Sequence, residues 1–294
     1  MSGAADIRPR KGAAGLDWLP VVAGLLVLYV PTFYDFSIGL WREEDYAHDP
    51  IILAIIVWLI WRKRAALFTK TSHSAPASGI GLLVFGLLLY VVGRSNAIAM
   101  FESGALAPIL AGTILAMRGW PALRALWFPI VFVAFMVPLP GFFVDAVTGP
   151  LKQHVSEIAE QLLYIAGYPI ARSGVILTIG QYQLLVADAC SGLNSMFSLS
   201  ALGLLYMYLM YRTSFLHNAI MLASILPIAF TANVVRVVIL MLITYYFGDE
   251  AGQGFLHGAA GILLLVVALL VFFLLDAVLA RLIKPRRAPV MSSE

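Results

Sequence analysis

The chain has a single cysteine, Cys190, in "LLVADACSGLNSMFSL", where it follows Asp188 and precedes a Ser-Gly pair at the start of a long apolar run. A thiol there reads in two ways, as a small buried hydrophobe or as a nucleophile. If Asp188 caps the apolar helix, Cys190 lies in its first turn. The positive end of the helix dipole then favours thiolate, while the charge of Asp188 opposes it, so a nearby cation is needed. Arg236, in "TANVVRVVILMLITYYFG", supplies a candidate as the one Lys or Arg deep within a predicted apolar span. Burying it costs several kcal/mol unless it is paired or faces water, so it is either functional or part of an ion pair, with Asp276 the candidate partner. His257, in "GFLHGAAG", stands at the start of the last apolar span. Beside a thiol and an arginine it completes what acyl transfer needs, a base of near-neutral pKa that takes the thiol proton and returns one to the leaving amine. Arg236 then stabilises the thiolate or the tetrahedral oxyanion. His48, at the start of the second span, is an auxiliary candidate, as is Asp188. Gly192 and Asn194 are candidates for close approach to a substrate, with helix packing as the alternative.

These residues have to be positioned by membrane helices. The 294 residues are 61% hydrophobic and 12% charged, with a mean hydropathy of +0.91, far from the composition of a soluble domain. Apolar runs of helix-spanning length recur where a barrel would show short alternating segments, so the fold class is all-α, a polytopic helix bundle. Eight spans are predicted at roughly 17–40, 49–61, 79–93, 104–117, 122–138, 190–211, 217–247 and 257–281, forming a single domain without internal repeats. The first follows Arg8, Arg10 and Lys11 and has no A-x-A-like site after it, so it reads as a retained span. With both termini cytoplasmic, fourteen Lys/Arg fall on that side and only Arg42, Arg94, Lys152 and Arg172 on the other, as the positive-inside rule requires. The pI of about 9.0 thus reflects loop anchoring, and no basic run with interleaved aromatics points to nucleic acid.

This topology gathers the unusual polar segments on the outer face. In "GPLKQHVSEIAEQLLYIAG", Leu151, Val155, Ile158, Leu162 and Ile165 define the apolar side of an amphipathic helix lying on the membrane or against the bundle. "SGVILTIGQYQLLVADAC" then reads as a β-hairpin turning at Gly180-Gln181, with Gly placed for a type II′ turn, which delivers the chain to Cys190 and packs on that helix. The seventh span is 31 residues, about 46 Å of helix against a core near 30 Å. It calls for a break at Pro227 or an interfacial first turn, and it leaves Arg236 about 16 Å below the outer end. Ser191, Ser195, Ser198 and Ser200 fit backbone hydrogen bonding and helix packing. There is no H-E-x-x-H or helix with paired histidines, so no metal site and no cofactor is predicted.

The set "ACSGL" at Cys190, "NVVR" ending at Arg236, an outer His257 and "YAHDPI" at His48, over an eight-span chain, resembles the exosortase/archaeosortase family of membrane cysteine transpeptidases. Many members have Gly where this chain has Asp49. The resemblance implies the triad Cys190 nucleophile, Arg236 stabiliser and His257 acid/base. It also implies a place in the bacterial inner membrane with the active site at the periplasmic face. Substrates would be exported proteins bearing a C-terminal sorting signal, made of a short motif (Pro-Glu-Pro in many bacterial cases), a membrane helix and a basic tail. The partners are then that signal, the lipid bilayer and an acceptor amine or water. The competing readings are a transporter or channel with Arg236 as substrate counter-ion, and a non-enzymatic export scaffold. Paired broken helices or inverted repeats would favour transport, and the sequence has neither.

Overall fold

The computed structural model describes residues 16–43, 46–68, 75–185, 192–210, 214–248, 250 and 255–283, of which 145, 147, 192–196 and 255–265 are described by their backbone alone. The chain forms two compact units, residues 1–139 and 140–294, each described by itself below.

The first unit is helical. It comprises α1 (Leu19–Ile38), a 3₁₀ turn (Leu40–Arg42), α2 (Asp49–Arg62), α3 (Ala65–Phe68), α4 (Pro76–Ser95), α5 (Ala99–Gly104), α6 (Leu106–Ala125), α7 (Trp127–Phe132) and a second 3₁₀ turn (Val133–Met136). Helices α1, α2 and α4 each carry Pro in the first turn, where the missing N–H has no intrahelical acceptor to lose. In α4, Gly79, Gly86 and Gly93 recur every seven residues and so share one face. A Cβ on Gly86 would fall 2.9 Å from the Ile109 backbone nitrogen, and one on Gly79 would collide with the backbone of Ala116. The stripe therefore allows α4 to lie backbone-to-backbone on α6. The predicted span 122–138 is not one helix. Gly119, at φ 75°, breaks the α6 segment ahead of Pro121, and the chain continues as the short α7 and its 3₁₀ turn.

The second unit begins with α8 (Gly141–Ile165), followed by β1 (Ile170–Ser173), β2 (Ile176–Ile179) and β3 (Tyr182–Leu185), then α9 (Gly192–Met210), α10 (Phe215–Phe247) and α11 (Phe255–Leu282). The predicted hairpin is present as β2–β3, with Ile179 opposite Tyr182 and Gly180 at φ 58°, as a II′ turn requires. A strand absent from the sequence reading, β1, pairs antiparallel with β2, placing Ser173 opposite Ile176, and Gly174 at φ 63° makes the turn. Arg172 of β1 donates to the Glu160 carboxylate of α8 at 2.8 Å.

Helix α8 is amphipathic, but the stripe it buries is Val155, Ala159 and Leu163. These pack with Leu177, Ile179 and Leu184 of the sheet and with Val234, Val237, Leu240 and Met241 of α10. Of the predicted apolar side, Val155 is buried while Ile158, Leu162 and Ile165 stay exposed. The small side chain of Ala159 lets the sheet approach closely, and the bulkier residues are left as a second apolar stripe. Helix α10 runs unbroken through Pro227 for 33 residues, about 50 Å, so its excess length is not removed by a break.

Among the described residues, four helices are long and apolar enough to cross a membrane: Leu19–Ile38, Pro76–Ser95, Ala99–Ala125 and Phe215–Phe247. Their outer faces carry exposed aliphatic residues, such as Val27 and Leu88, which is the arrangement expected of surfaces solvated by lipid. The protein is thus mostly helical, with a small three-stranded sheet among the described residues.

Candidate functional site

The site is built on α10. Its buried residues His217, Met221, Ile225, Ala229, Asn233, Arg236, Leu240 and Thr244 follow one another at steps of four or three. They form a single stripe along the whole helix. Arg236 is 6% exposed, next to Asn233 at 5%, with Thr244 fully buried two turns further on. A guanidinium this deep in the middle of an apolar helix marks a candidate functional residue.

The packing of the three long helices fixes what lies level with Arg236. A Cβ on Gly203 of α9 would sit 3.1 Å from Ile225 and 3.4 Å from Phe272 of α11. One turn further, Leu199, Ala229 and Ala268 form one buried cluster. Four residues back along α9 thus match four residues forward along α10, and α11 runs antiparallel to α10 in the same way. Extending the helices at about 1.5 Å per residue brings Gly192, the first described residue of α9, level with Arg236. On α11 the same extension places the backbone of His257 about 6 Å beyond Arg236, toward the end of the bundle that carries Phe247.

The sheet flanks that end. Gly180, at the hairpin tip, lies 3.6 Å from the Tyr245 ring if given a Cβ, whereas Leu184 of β3 shares a core with Val234, Val237 and Leu240. Strand β3 therefore starts beside the Tyr245–Gly248 end of α10, and Leu184 belongs to the core it shares with that helix. Tyr168, just before β1, adds a 3.0 Å hydroxyl contact to Tyr246 and an edge-on contact with the Tyr245 ring, fastening the sheet to the end of α10.

Of the sequence candidates, Cys190 and Asp188 lie outside the described residues. Gly192 and Asn194 fall in the first turn of α9 and His257 in the first turn of α11, each described by its backbone. His48 belongs to the first unit, where it precedes α2, with its Nε2 3.7 Å from the carboxylate of buried Asp49. The proposed pairing of Arg236 with Asp276 is corrected. Asp276 accepts a 2.7 Å hydrogen bond from the Tyr206 hydroxyl and lies 2.6 Å from His217 Nε2. His217 is nineteen residues from Arg236 on the same helix, about 28 Å away. This buried Tyr206–Asp276–His217 cluster ties α9, α10 and α11 together at the end opposite Arg236. The sequence reading missed it, although His217, Asn233, Arg236 and Thr244 share a helical spacing that could have marked the stripe.

A second buried polar cluster, also missed, lies in the first unit. Glu102 of α5 is 4% exposed. It accepts from Thr32 of α1 at 2.6 Å and from Arg94 of α4 at 3.0 Å, and Arg94 pairs in turn with Asp35 at 2.7 Å. Tyr90 donates to the Leu28 carbonyl at 2.7 Å and lies 3.0 Å from the Thr32 hydroxyl. The arrangement satisfies a buried carboxylate and joins three helices.

Compared with known proteins, residues 40–274 match a family model described as transmembrane exosortase. That range contains His48, Asp188, Cys190, Arg236 and His257. No curated protein and no solved structure matches the chain.

Proposed function

The chain belongs to the transmembrane exosortase family, and from that premise we propose that it is a membrane-embedded cysteine transpeptidase with Cys190 as nucleophile, Arg236 as electrostatic stabiliser and His257 as general acid/base. The observation that carries this reading is the common level of three backbone positions. Gly192, two residues after Cys190, is level with Arg236, and His257 is about one helical turn away. The sequence alone left the thiol at the outer end of the bundle and Arg236 about 16 Å below it. The antiparallel packing of α9 on α10 supports a smaller separation, because the described start of α9, Gly192, is level with Arg236. The length of chain after β3 allows the same placement from the other side. From Leu185, five residues of chain can reach about 17 Å, more than the roughly 14 Å of helix rise between Tyr245 and Arg236.

In this mechanism His257 takes the Cys190 proton, and the thiolate adds to the scissile carbonyl. Arg236 faces the oxyanion in a site walled by apolar helices, where a charge-assisted hydrogen bond is strong. Collapse of the intermediate breaks the C–N bond as the imidazolium gives its proton to the leaving amine, leaving a thioester on Cys190. An acceptor amine or water, deprotonated by His257, then adds to the thioester and releases the thiol. The substrate is the C-terminal sorting signal of an exported protein, held by its own membrane helix so that the motif above it meets the site. The enzyme has eight spans in the bacterial inner membrane, with cytoplasmic termini and a periplasmic active site. In this reading Gly192 and Asn194, in one turn of α9, contact the substrate, and Asp188 and His48 are auxiliary.

The test is processing of a tagged protein bearing a motif–helix–basic-tail signal by membranes containing the wild type, Cys190→Ala and Cys190→Ser. Loss of processing in both variants, with normal amounts of folded protein, is the expected result. Normal processing by Cys190→Ala would sink the proposal.

A further inference from the structure

One end of the first unit is basic and aromatic in a way that the proposed chemistry does not use. The start of α1, α3 and the end of α6 are tied there, because Trp18 Nε1 and Arg118 Nε both donate to the Leu67 carbonyl. The end of α2 joins them through Lys63, whose ammonium donates to the Ala125 carbonyl at 3.1 Å. Asp17, the one acidic residue at this end among the described residues, is engaged by Arg118 at 3.5 Å. That leaves Arg62, Arg64 and Arg124, all exposed, with no carboxylate partner among the described residues.

Two of these arginines are held in a particular way. The Arg62 guanidinium carbon lies 5.4 Å from the centre of the Trp58 ring and that of Arg64 lies 4.7 Å from the Trp61 ring, with both rings exposed at their outer faces. A guanidinium stacked on an indole uses its face; Arg64 gives one Nη1 donor to the Trp61 carbonyl at 3.4 Å, and the remaining in-plane N–H donors of both arginines stay available for an acceptor such as phosphate. The indoles are suited to the boundary between headgroup and acyl chain. The apolar α2 helix runs directly from this cluster, with Ile51 and Val57 exposed along it, so a ligand with one anionic head and apolar tails fits both parts.

The geometry points to a binding site for an anionic phospholipid headgroup, formed by Arg62 and Arg64 over Trp58 and Trp61, with Arg124 beside them. The phosphate accepts from the two stacked arginines while the acyl chains lie along α2. The site selects anionic over zwitterionic headgroups by charge, since a choline headgroup would bring its own cation against three unpaired guanidinium groups.

Native mass spectrometry of the full-length protein, released from neutral detergent with added phosphatidylglycerol or phosphatidylcholine of equal chain length, tests this. The wild type is expected to retain phosphatidylglycerol preferentially. The double variant Arg62→Gln/Arg64→Gln should lose about tenfold or more of that preference, as expected for two basic contacts near a lipid surface. Arg124→Gln should lose about fivefold, and it serves alone if the double variant does not fold. Arg42→Gln, in the 3₁₀ turn after α1, should change nothing. Equal retention of the two lipids, or undiminished preference in both the double variant and Arg124→Gln, would overturn the site. Inorganic phosphate that competes as well as the lipid would overturn its assignment to a headgroup.

Discussion

The level of Arg236 relative to the segment carrying Cys190 can be measured with the chain's own thiol. Because Cys190 is the only cysteine, a second one placed along α10 reports which turn of that helix it approaches. Leu199 shares a cluster with Ala229 and Gly203 abuts Ile225, so the helices match turn for turn and Gly192 falls at Arg236. Phe247, eleven residues further along α10, is about 16 Å from that level. A disulfide needs Cα atoms within about 7 Å, so only a window of roughly two turns around Arg236 is competent. The experiment introduces single cysteines at Asn233, Val237, Leu240, Thr244 and Phe247, oxidises membranes with copper-phenanthroline, and follows cross-linking by mobility and mass spectrometry of the joined peptides. Cross-linking should be greatest at Asn233, Val237 or Leu240 and absent at Phe247. A maximum at Thr244 or Phe247 would refute the reasoning, because the thiol would then lie at the outer end of the bundle, beyond reach of the guanidinium.

Three further outcomes follow from the packing. Asp276→Ala removes the acceptor of both Tyr206 and His217 in a buried setting and should destabilise the protein by about 2–5 kcal/mol. Tyr206→Phe should cost about 1 kcal/mol, so thermal unfolding in detergent should rank Asp276→Ala well below Tyr206→Phe. Gly86→Val places a branched side chain where even a Cβ would meet the Ile109 backbone at 2.9 Å. It should cost about 1–3 kcal/mol through separation of α4 from α6, read as a lowered unfolding temperature. Glu102→Ala removes the carboxylate acceptor of Thr32, which keeps the Leu28 carbonyl and Tyr90 as partners, while Arg94 is 41% exposed and regains water. A loss of about 1–3 kcal/mol is expected, larger than that of Asp35→Asn at the exposed end of the same network, and the same unfolding assay compares the two.

Much of this arrangement was legible in the sequence because lipid removes alternatives. Long apolar runs had to be helices, and Gly180-Gln181 between two β-rich runs had to be a tight turn. Strand β1 was not legible, since "IARS" has no apolar alternation and is held by pairing with β2 and by the ion pair of Arg172 with Glu160. The buried face of α8 was misread for a related reason. Periodicity marks Ile158 and Leu162 as apolar, yet the small Ala159 decides which side the sheet can approach. In the same way, Asp276 was assigned to Arg236 because both are charged residues in apolar helices, and only the register of α10 shows that His217 and Tyr206 are its neighbours. The candidate site was readable as residue types, a thiol, an arginine and a histidine on one side of the membrane. The level of Gly192 and of the His257 backbone relative to Arg236 was not, because helix–helix register depends on where Gly203 and Ala229 permit contact.

The central claim is that Cys190 forms a covalent intermediate. Incubating the purified enzyme with a peptide carrying a motif–helix–basic-tail signal, quenching in acid and analysing the Cys190 peptide by mass spectrometry measures this directly. The account predicts an acyl adduct on Cys190 that is released by hydroxylamine and absent in Arg236→Gln. Cleavage of the peptide at full rate with no adduct at any time, and equally by Cys190→Ala, would contradict it.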